Sequence, residues 1–360
     1  MSILETSQDS VRAPYFSICI PQYNRTSFLI EACKSLQRQT FTDFEICISD
    51  DCSTDGRSRE LVDFLRYLSF PFVYQRQDAN LRYDANLRCA INLARGRFVF
   101  LLGNDDCLAS ATVLQELHAQ LQRHADVCVA VTNYADYRSG QSFARVRQDG
   151  VVGSGPSVAL SAFRNFSFVS GVIIRTTEAR LHATSRWDGS EMYQMFLGSR
   201  IIATGGSLLY MSLVAVRKDI HIPNEGVDSY AAQPRLDPCP LVERRLPLVE
   251  IGRLVADAIA PYELPGAHGR SIERIFRQLY AFTYPFWIVE YRRVQSWRYA
   301  VGVCLGLRPR NSLADLTLPR AGRLRLSLLF WMASLVALVV PERILSSLRG
   351  TLYRAAKAAR

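Results

Sequence analysis

The amino-acid sequence predicts an α/β protein, in which helices flank a doubly wound and mostly parallel sheet. Two observations support this fold class. Between residues 15 and 132, short apolar runs alternate with segments of helical periodicity, as in βαβ units. Apolar residues make up 49% of the 360 residues and charged residues 21%, which is typical of a chain with a substantial core. Since single cores stop growing near roughly 250 to 300 residues, we expect one large domain and a smaller appendage.

Five runs rich in Val, Ile and Phe predict the strands of this sheet. They cover residues 16–20, 44–49, 72–75, 98–102 and 127–132, and an ordered run at 168–175 follows them. Right-handed crossovers between parallel strands place ligands beyond the carboxyl ends of the strands. We therefore searched the residues that follow each strand for functional groups.

Four segments with apolar side chains on one stripe predict the helices between these strands. Thr26 or Ser27 caps the first helix. The third helix ends at Gly96, which we interpret as a left-handed helix stop. The stripes consist of Phe28, Leu29, Ala32, Cys33 and Leu36; Leu61, Phe64, Leu65 and Leu68; Leu87, Ala90, Ile91 and Ala94; and Val113, Leu114, Leu117 and Leu121.

The pattern changes along the chain and predicts four regions. Residues 1–14 form an N-terminal tail, and residues 15–220 form the large domain, with halves at 15–132 and 133–220. Within the second half, the polar stretch 133–166 predicts a surface loop or hairpin. Residues 221–319 form a helical extension that prolines divide into short pieces, and residues 320–360 form a basic, apolar tail.

The tail predicts an association with a membrane. Residues 320–360 contain eight Arg or Lys residues against one acidic residue, Glu342, within a chain of net charge +10. The uncharged run 326–340 is shorter than the roughly 20 residues that a spanning helix needs. Residues 344–356 place apolar side chains on one face. We predict peripheral or shallow insertion at an anionic membrane surface, with a true span, a core or dimer helix and a solvated basic tail as alternatives.

The cysteines and the N-terminus indicate the compartment. The nine cysteines show no C-x-x-C pair, and most lie in apolar runs, as in a protein from a reducing compartment. The first fifteen residues lack the basic and apolar regions of a secretory signal. We expect a cytoplasmic protein.

The first strand ends in the motif IPQYNR, residues 20–25. Pro21 stiffens the exit from the strand, and the ring of Tyr23 suits stacking on a planar base. Asn24 and Arg25 offer hydrogen bonds to a ligand. A turn with a surface arginine is the alternative interpretation.

The second strand ends in SDDCSTD, residues 49–55. Asp50 and Asp51 lie at a carboxyl strand end, where a carboxylate can bind a ribose hydroxyl or the N–H of a base. Ser53 and Asp55 have the simpler alternative of capping the next helix.

The fourth strand leads into GNDD, residues 103–106. The carboxylates of Asp105 and Asp106 would repel each other at the mouth of a buried strand unless a cation or ligand lay there. Mg²⁺ or Mn²⁺ prefers one or two carboxylates with phosphate oxygens and water. The motif therefore predicts a divalent metal site, with a plain turn as the alternative.

Together these motifs resemble the family 2 glycosyltransferases of the GT-A fold, over roughly residues 15–220. The resemblance rests on FSICIPQYNR, SLQRQTFTDFEICISDDCSTD and NLARGRFVFLLGNDD. It implies a metal at Asp105 and Asp106, a nucleotide-binding half at 15–132 and an acceptor half at 133–220. Gly103 departs from the family pattern, which has an additional Asp there. The implied nucleotide-sugar-binding residues are Pro21, Tyr23, Asn24, Arg25, Asp50, Asp51, Arg88 and Asp105, with Arg82 as a second candidate beside Arg88.

The resemblance also implies a general base on the acceptor side. Family members place an acidic residue at the start of a helix after a strand like FVSGVIIR, and the matching stretch here is WDGSEMYQM. Glu191 is the candidate base and Asp188 the reserve, whereas an acidic residue in a first helical turn can also serve only the helix dipole. His221 is a candidate contact for the leaving diphosphate. Trp187 and Tyr193 are candidates for stacking on an acceptor sugar, or else core aromatics.

The implied activity is metal-dependent, inverting transfer of one hexosyl or deoxyhexosyl unit from a nucleotide-sugar to an acceptor hydroxyl. No Q-x-x-R-W string of processive synthases occurs, which favours single-sugar transfer. The implied acceptor is a polyprenyl diphosphate-linked glycan of O-antigen, capsule or exopolysaccharide synthesis at the cytoplasmic face of the inner membrane. We expect no nucleic-acid partner, and we leave a homodimer open. A nucleotidyltransferase, which would need a Gly-rich loop after strand one, and a non-catalytic scaffold are the alternatives.

Overall fold

The computed structural model of the protein describes residues 3–6, 12–223, 225 and 247–341. The chain divides into two compact units, Met1–Ala232 and Gln233–Arg360. This boundary falls within the predicted helical extension, and the finer division into four regions stays a prediction. Residues 342–360 of the predicted tail lie outside the described residues.

A mixed sheet forms the centre of the first unit. Its described strands are β1 (Ile3–Thr6), β2 (Phe16–Gln22), β3 (Phe44–Asp50), β4 (Phe72–Arg76), β5 (Phe98–Leu101), β6 (Cys107–Leu108), β7 (Val127–Asp136), β8 (Ser142–Phe143), β9 (Gly150–Gly153), β10 (Val172–Arg175) and β11 (Ser207–Lys218). The order is β1-β4-β3-β2-β5-β10-β7-β11-β6, with β8 on β7 and β9 on β11. The longer strands β2, β3, β4, β5, β7 and β11 run in one direction, so the mostly parallel α/β sheet is confirmed.

The five predicted strands all form, as β2, β3, β4, β5 and β7, but β7 does not pair with β5. Strand β10 lies between β5 and β7 and is antiparallel to both. Each strand buries apolar side chains, and Phe16, Ile18, Phe98 and Phe100 are among the fully buried residues of the core. Periodicity gives the existence of strands, whereas their order depends on pairing over long sequence distances.

Helices cover the sheet of the first unit. They are α1 (Thr26–Gln37), α2 (Ser58–Arg66), α3 (Arg82–Leu93), α4 (Val113–Arg123), α5 (Pro156–Ala162), α6 (Thr176–Leu181) and α7 (Tyr193–Ala203). The first four form where the apolar stripes predict them. A 3₁₀ turn, Phe163–Phe166, follows α5.

The role predicted for Gly96 is wrong. Its φ angle is not positive, so its backbone is not left-handed. A Cβ at Gly96 would lie 2.8 Å from the carbonyl carbon of Phe16 and 2.8 Å from the amide nitrogen of Ser17. Glycine is therefore required where the chain passes closely beside β2.

The polar stretch 133–166 contains the predicted hairpin, β7 to β8, and also β9 and α5. Arg145 belongs to this stretch and is buried. Its guanidinium group donates hydrogen bonds to backbone carbonyl oxygens that include those of Thr132 at 2.6 Å, Phe168 at 2.8 Å and Ser170 at 2.7 Å. One guanidinium group therefore fixes the turn that leads into β10.

The second unit is helical in its described part. It contains α8 (Pro247–Ile259), α9 (His268–Gln278), α10 (Tyr284–Val294), α11 (Trp297–Gly306), α12 (Pro309–Ser312) and α13 (Arg320–Val339), with a 3₁₀ turn at Ala260–Tyr262 and a π turn at Leu279–Thr283. The predicted C-terminal helical region is thus confirmed. Within the described residues, α13 is the helix long and apolar enough to cross a membrane, with mean hydropathy 1.5 and 28% of its apolar window buried.

Candidate active site

Loops at the carboxyl ends of β2, β3 and β5 contact one another at one edge of the sheet. The side-chain oxygen of Asn24 accepts hydrogen bonds from the amide of Thr54, at 2.7 Å, and the amide of Asp55, at 3.1 Å. The side chain of Asn104 donates to that of the fully buried Gln22 at 2.8 Å. The three motifs found in the sequence are therefore adjacent in space.

Several residues of these loops have left-handed backbone conformations. The φ angles of Asn24, Arg25 and Cys52 are 54°, 56° and 59°. Such conformations cost roughly 1–3 kcal/mol each for non-glycine residues and cluster at functional sites. The hydrogen bonds of the Asn24 side chain stabilise the first two turns.

Asp50 supports the loop from below. Its carboxylate accepts hydrogen bonds from the amide of Ser53 at 2.9 Å and from the hydroxyl of the buried Tyr74 at 2.5 Å. Both carboxylate oxygens thus have partners within the protein. This arrangement differs from the nucleotide contact predicted for Asp50, because the charge already stabilises its own loop.

Asp51 connects the end of β3 with the start of α3. It is 2% exposed, and its carboxylate accepts a hydrogen bond from the amide of Leu81 at 2.5 Å. Burial raises the pKa of Asp51, while the backbone amides of Leu81 and Arg82 oppose the shift. The exposed side chain of Arg82 begins beside this carboxylate.

Tyr23 and Pro21 lie at the end of β2. Tyr23 is 44% exposed, so its ring is accessible for stacking. Pro21 is buried and pairs with Ser49 of the parallel strand β3. These positions agree with the geometry that the predicted roles require, and the roles themselves stay predictions.

Arg88 and Asp188 form an ion pair with each other. The two guanidinium nitrogens lie 2.6 Å and 2.7 Å from the two carboxylate oxygens. Arg88 also donates to the carbonyl oxygen of Thr184 at 2.9 Å. This partnership differs from the separate roles predicted for them, a nucleotide contact and a reserve base, because each charge already has a bidentate partner.

The acidic pair after β5 is largely buried. Asp105 lies 2.6 Å from a guanidinium nitrogen of Arg25, and both side chains are mostly shielded from solvent. Asp106 is 2% exposed and accepts hydrogen bonds from the hydroxyl of Ser170 and from the amide of Asp219, the latter at 3.0 Å. Burial, followed by the charge of Asp105, raises the pKa of Asp106 to about 8.

A third carboxylate lies near this pair. The negative charge of Asp219 contributes to the raised pKa of Asp105 and of Asp106. Asp219 follows β11, has φ 59° and forms an ion pair with Lys218. The amide after it, of Ile220, donates to the carbonyl oxygen of Asp105 at 2.7 Å. The end of β11 therefore closes one side of the acidic site.

These residues fit a hard divalent ion that is also held by phosphate. The observation is the setting of Asp106, whose buried carboxylate accepts hydrogen bonds from the neutral Ser170 hydroxyl and Asp219 amide and lies beside the charge of Asp105, so that burial and this charge raise its pKa. No group of three or more metal-binding side chains occurs among the described residues, so Asp105 and Asp106 would need ligands from a diphosphate and from water.

The glycine in GNDD has a steric explanation. A Cβ at Gly103 would lie 2.9 Å from an oxygen of Asp106 and 3.2 Å from an oxygen of Asp105. A side chain at this position would therefore displace the acidic pair. The additional Asp of the family pattern does not fit the loop in this conformation.

Glu191 lies directly before α7. Its φ angle is 58°, its side chain is exposed and its amide donates to the carboxylate of Asp84 at 2.8 Å. Since α7 begins at Tyr193 with no acidic residue in its first turn, the helix-dipole alternative for Glu191 is not supported.

Two of the remaining predictions change with the structure. Tyr193 is 1% exposed, so the core alternative holds for it and stacking on an acceptor sugar is wrong. The ring of His221 contacts the guanidinium group of Arg138, with one pair of nitrogens 3.0 Å apart. Trp187 is partly buried.

Several residues that hold the site together could not be predicted from local sequence pattern. They are Gln22, Asp84, Ser170 and Asp219. Their partners lie 82, 107, 64 and 113 positions away along the chain. An acidic residue in the first turn of a helix, as Asp84 is, would ordinarily be assigned to the dipole of its own helix.

The fold and the site define an α/β protein with polar and acidic loops at the carboxyl ends of its parallel strands, the edge at which sheets of this class bind ligands. Residues 17–180 match the family model described as Glycosyl transferase family 2. The TarS 1–349 fragment of S. aureus, solved in complex with UDP, has a similar fold, with a TM-score of 0.59 and 18% identity over 87% of this chain and 89% of that chain. The resemblance to the family 2 glycosyltransferases that the motifs predicted is thus confirmed for residues 17–180, and the similar solved fold agrees with the predicted GT-A fold.

Two curated relatives extend this comparison. The chain is 40% identical over 114 residues to an abequosyltransferase of Salmonella typhimurium, covering 31% of this chain and 34% of that protein. It is 34% identical over 132 residues to a chondroitin synthase of Escherichia coli, covering 36% of this chain and 18% of that protein. The matches thus span about a third or less of the length of these relatives.

Proposed function

We propose that the protein transfers a single sugar from a nucleotide-sugar to an acceptor hydroxyl, with inversion at the anomeric carbon. The observation that carries this proposal is the buried pair Asp105 and Asp106, which lies at the same sheet edge as Asp51 and Tyr23. An acidic edge with uncompensated charge suits a sugar diphosphate that arrives with a divalent ion. The family 2 domain supports the same activity.

The nucleotide is bound by groups at the ends of β2 and β3. The exposed ring of Tyr23 stacks on the base, and the carboxylate of Asp51 accepts a hydrogen bond from the base or the ribose. Arg82 is exposed beside Asp51 and supplies positive charge for the diphosphate, while Arg88 is engaged by Asp188. Arg25 is the second candidate, since its partner Asp105 belongs to the site itself.

Asp105 and Asp106 would hold the divalent ion, Mg²⁺ or Mn²⁺. When bound, such an ion offsets the charge that develops on the leaving diphosphate. Ser170 and the amide of Asp219 keep the carboxylate of Asp106 in one orientation. Asp105 also lies in position to accept a hydrogen bond from the ribose once Arg25 moves to the diphosphate.

Glu191 is the proposed base. The acceptor oxygen attacks the anomeric carbon, its proton passes to the Glu191 carboxylate, and the bond between that carbon and the diphosphate oxygen breaks. The exposed side chain of Glu191 is accessible to an acceptor, whereas the carboxylate of Asp188 is paired with Arg88.

The proposed acceptor is a lipid-linked glycan of cell-surface polysaccharide synthesis. The names of two relatives, an abequosyltransferase and a chondroitin synthase, support a role in glycan synthesis, while the lipid link of the acceptor rests on the family resemblance alone. The transferred unit is proposed to be a hexosyl or deoxyhexosyl group.

The test is a binding panel followed by an activity assay. UDP, GDP, dTDP and CDP are added with Mn²⁺ or with EDTA, and the melting temperature is measured. We expect one nucleotide to stabilise the protein in a metal-dependent way. Sugar nucleotides with that base should then release the nucleoside diphosphate. Release of pyrophosphate from a nucleoside triphosphate would instead indicate a nucleotidyltransferase, and neither product would indicate a scaffold.

We also propose that α13 lies in the plane of an anionic membrane surface. One face of the helix packs inside the second unit through Leu326, Phe330 and Ala337. The other face is apolar and between 45% and 67% exposed, at Leu324, Leu328, Trp331, Met332, Leu335, Val336 and Val339. A helix with one face in protein and one apolar face outward suits shallow insertion better than a span. Residues 247–341 contain twelve arginines against six acidic residues, which complements an anionic surface.

This second proposal is tested with vesicles and two matched variants. Leu328→Asp with Leu335→Asp places charge on the exposed face of α13, and Leu264→Asp places charge on a leucine of the same unit that is still more exposed but lies outside that face. We expect the double variant to lose binding to vesicles that contain anionic lipid, while the control binds like the wild type. Equal binding by all three would remove the membrane role, and a loss of self-association in the double variant would assign the face to a second copy.

A further inference from the structure

Helix α3 connects the two halves of the site. At its start, the amide of Leu81 donates to Asp51, the proposed nucleotide contact, at 2.5 Å. One turn later, Asp84 faces the segment that carries Glu191, the proposed base. Tyr83 and Arg88 also reach this segment, through Gln194 at 3.2 Å and through Asp188. A single short helix thus contacts the sugar-donor side and the acceptor side.

The carboxylate of Asp84 binds a set of converging backbone amides. It is 1% exposed and accepts hydrogen bonds from the amides of Gly189 at 2.9 Å, Glu191 at 2.8 Å and Tyr193 at 2.9 Å. The hydroxyl of Ser190 lies 3.5 Å from it. Backbone amides that converge in this way form an anion-binding nest, and here the anion comes from another part of the chain.

The nest depends on unusual backbone conformations. Gly189 and Glu191 both have positive φ angles, 93° and 58°. A non-glycine residue such as Glu191 avoids this region unless its surroundings fix it there. In this protein the fixing group is the buried charge of Asp84, which also lies at the N-terminal end of α7, where a negative charge is favourable.

We infer that Asp84 is a positioning residue that sets the backbone of Glu191 and couples it, through α3, to the nucleotide bound at Asp51. The inference rests on the proposed function in naming Glu191 as the base. Without the Asp84 charge, the three amides lose their shared acceptor and Glu191 can leave its left-handed conformation. The Glu191 carboxylate then samples positions away from the acceptor hydroxyl. Asp84 itself touches neither substrate nor reacting atoms.

The first test follows amide hydrogen exchange in the full chain. Asp84→Asn should speed exchange of the segment 187–193 at least tenfold. The matched control is Asp149→Asn, since Asp149 likewise accepts a backbone amide hydrogen bond, from Ser212 at 2.6 Å, but lies on an exposed loop. The control should leave segment 187–193 unchanged. Unchanged exchange in Asp84→Asn would overturn the inference.

The second test separates positioning from a general loss of stability. Asp84→Asn should lower kcat by about 10- to 100-fold, the scale of a small displacement of a catalytic group, and raise the KM and Kd of the sugar nucleotide far less, by about the coupling between the two sites. In a Glu191→Gln background, Asp84→Asn should have no further effect on kcat. An equal loss of kcat in both backgrounds would show that Asp84 does not act through Glu191, and a normal kcat would remove its role in catalysis.

The exchange measurement also decides the role of Asp84 when the wild type is inactive or when Asp84→Asn does not fold. If the wild type turns over no sugar nucleotide, that function fails, and the exchange measurement still decides whether Asp84 holds the segment. If Asp84→Asn does not fold, the wild type decides alone. Binding of the stabilising nucleoside diphosphate should then slow exchange in residues 187–193, and the absence of any slowing would overturn the coupling.

Discussion

Two buried carboxylates of the first unit, those of Asp106 and Asp84, differ in the groups that surround them. In the loop 103–106, Asp106 accepts one hydroxyl and one amide hydrogen bond and lies beside the charge of Asp105. Against the segment 187–193, Asp84 accepts three amide hydrogen bonds at the start of a helix. Burial raises the pKa of both, but backbone amides oppose the shift at Asp84, whereas the neighbouring charge of Asp105 adds to it at Asp106.

The difference separates a ligand site from a structural device. A carboxylate whose hydrogen bonds come from backbone amides is stabilised by the fold itself, and it fixes the segment that supplies them. A buried carboxylate beside another carboxylate is disfavoured in its ionised form, and a cation that binds there relieves the repulsion. Asp106 therefore marks where the metal and diphosphate are expected, and Asp84 marks how the acceptor side is held.

Asp106→Asn tests whether Asp106 is a ligand of the divalent ion, and it has the largest expected effect. We expect sugar transfer to fall by more than about 10³-fold, because a metal ligand and its charge are both lost. The stabilisation by Mn²⁺ with nucleotide should disappear from melting curves. Asp149→Asn, on an exposed loop of the same unit, should behave like the wild type. Retained transfer and metal response in Asp106→Asn would place the ion elsewhere.

Glu191→Gln tests the acceptor side with the next largest effect. The substitution keeps the shape of the side chain and removes its basicity, so transfer should fall by about 10²-fold or more. The Kd of the nucleoside diphosphate should not change, because Glu191 does not lie in the acidic loop. Calorimetric binding and a turnover assay measure the two quantities. Near-normal transfer would move the role to another group, and Asp188→Asn with Arg88 left intact is the companion variant.

The nucleotide-binding half was more predictable from sequence than the acceptor half. Strands β2, β3 and β5 are short runs rich in Phe, Ile and other apolar residues, so their ends, and the acidic residues at those ends, follow from local pattern. The nest around Asp84 joins residues more than 100 positions apart, and no local pattern encodes such a contact. The position of β10 between β5 and β7, and the close approach at Gly96, also depend on packing between distant segments.

The two arginines of α3, Arg82 and Arg88, differ in whether they are available to bind the diphosphate. Arg82 is exposed beside Asp51, whereas Arg88 is held by Asp188. Arg82→Ala should raise the Kd of the nucleoside diphosphate about tenfold, the range of one charge-assisted hydrogen bond. Arg88→Ala should leave this affinity within about twofold and lower the melting temperature instead. The reverse pattern would restore Arg88 as the nucleotide contact.

The smallest effect expected is a pH dependence of stability without metal or nucleotide. Asp106 has a pKa of about 8 in the folded protein, above the ordinary value of 3.8 for an aspartate. Between these values the folded state binds more protons than the unfolded state, so this group's contribution to stability decreases as pH rises. Asp106→Asn lacks the contribution. Its free energy of unfolding relative to the wild type should therefore increase by about 1 kcal/mol from pH 6 to pH 7, measured by denaturant titration in EDTA. A constant difference would mean that Asp106 is already ionised at neutral pH and that its charge is compensated inside the protein, as that of Asp84 is. The contrast between the two segments would then have to come from geometry alone.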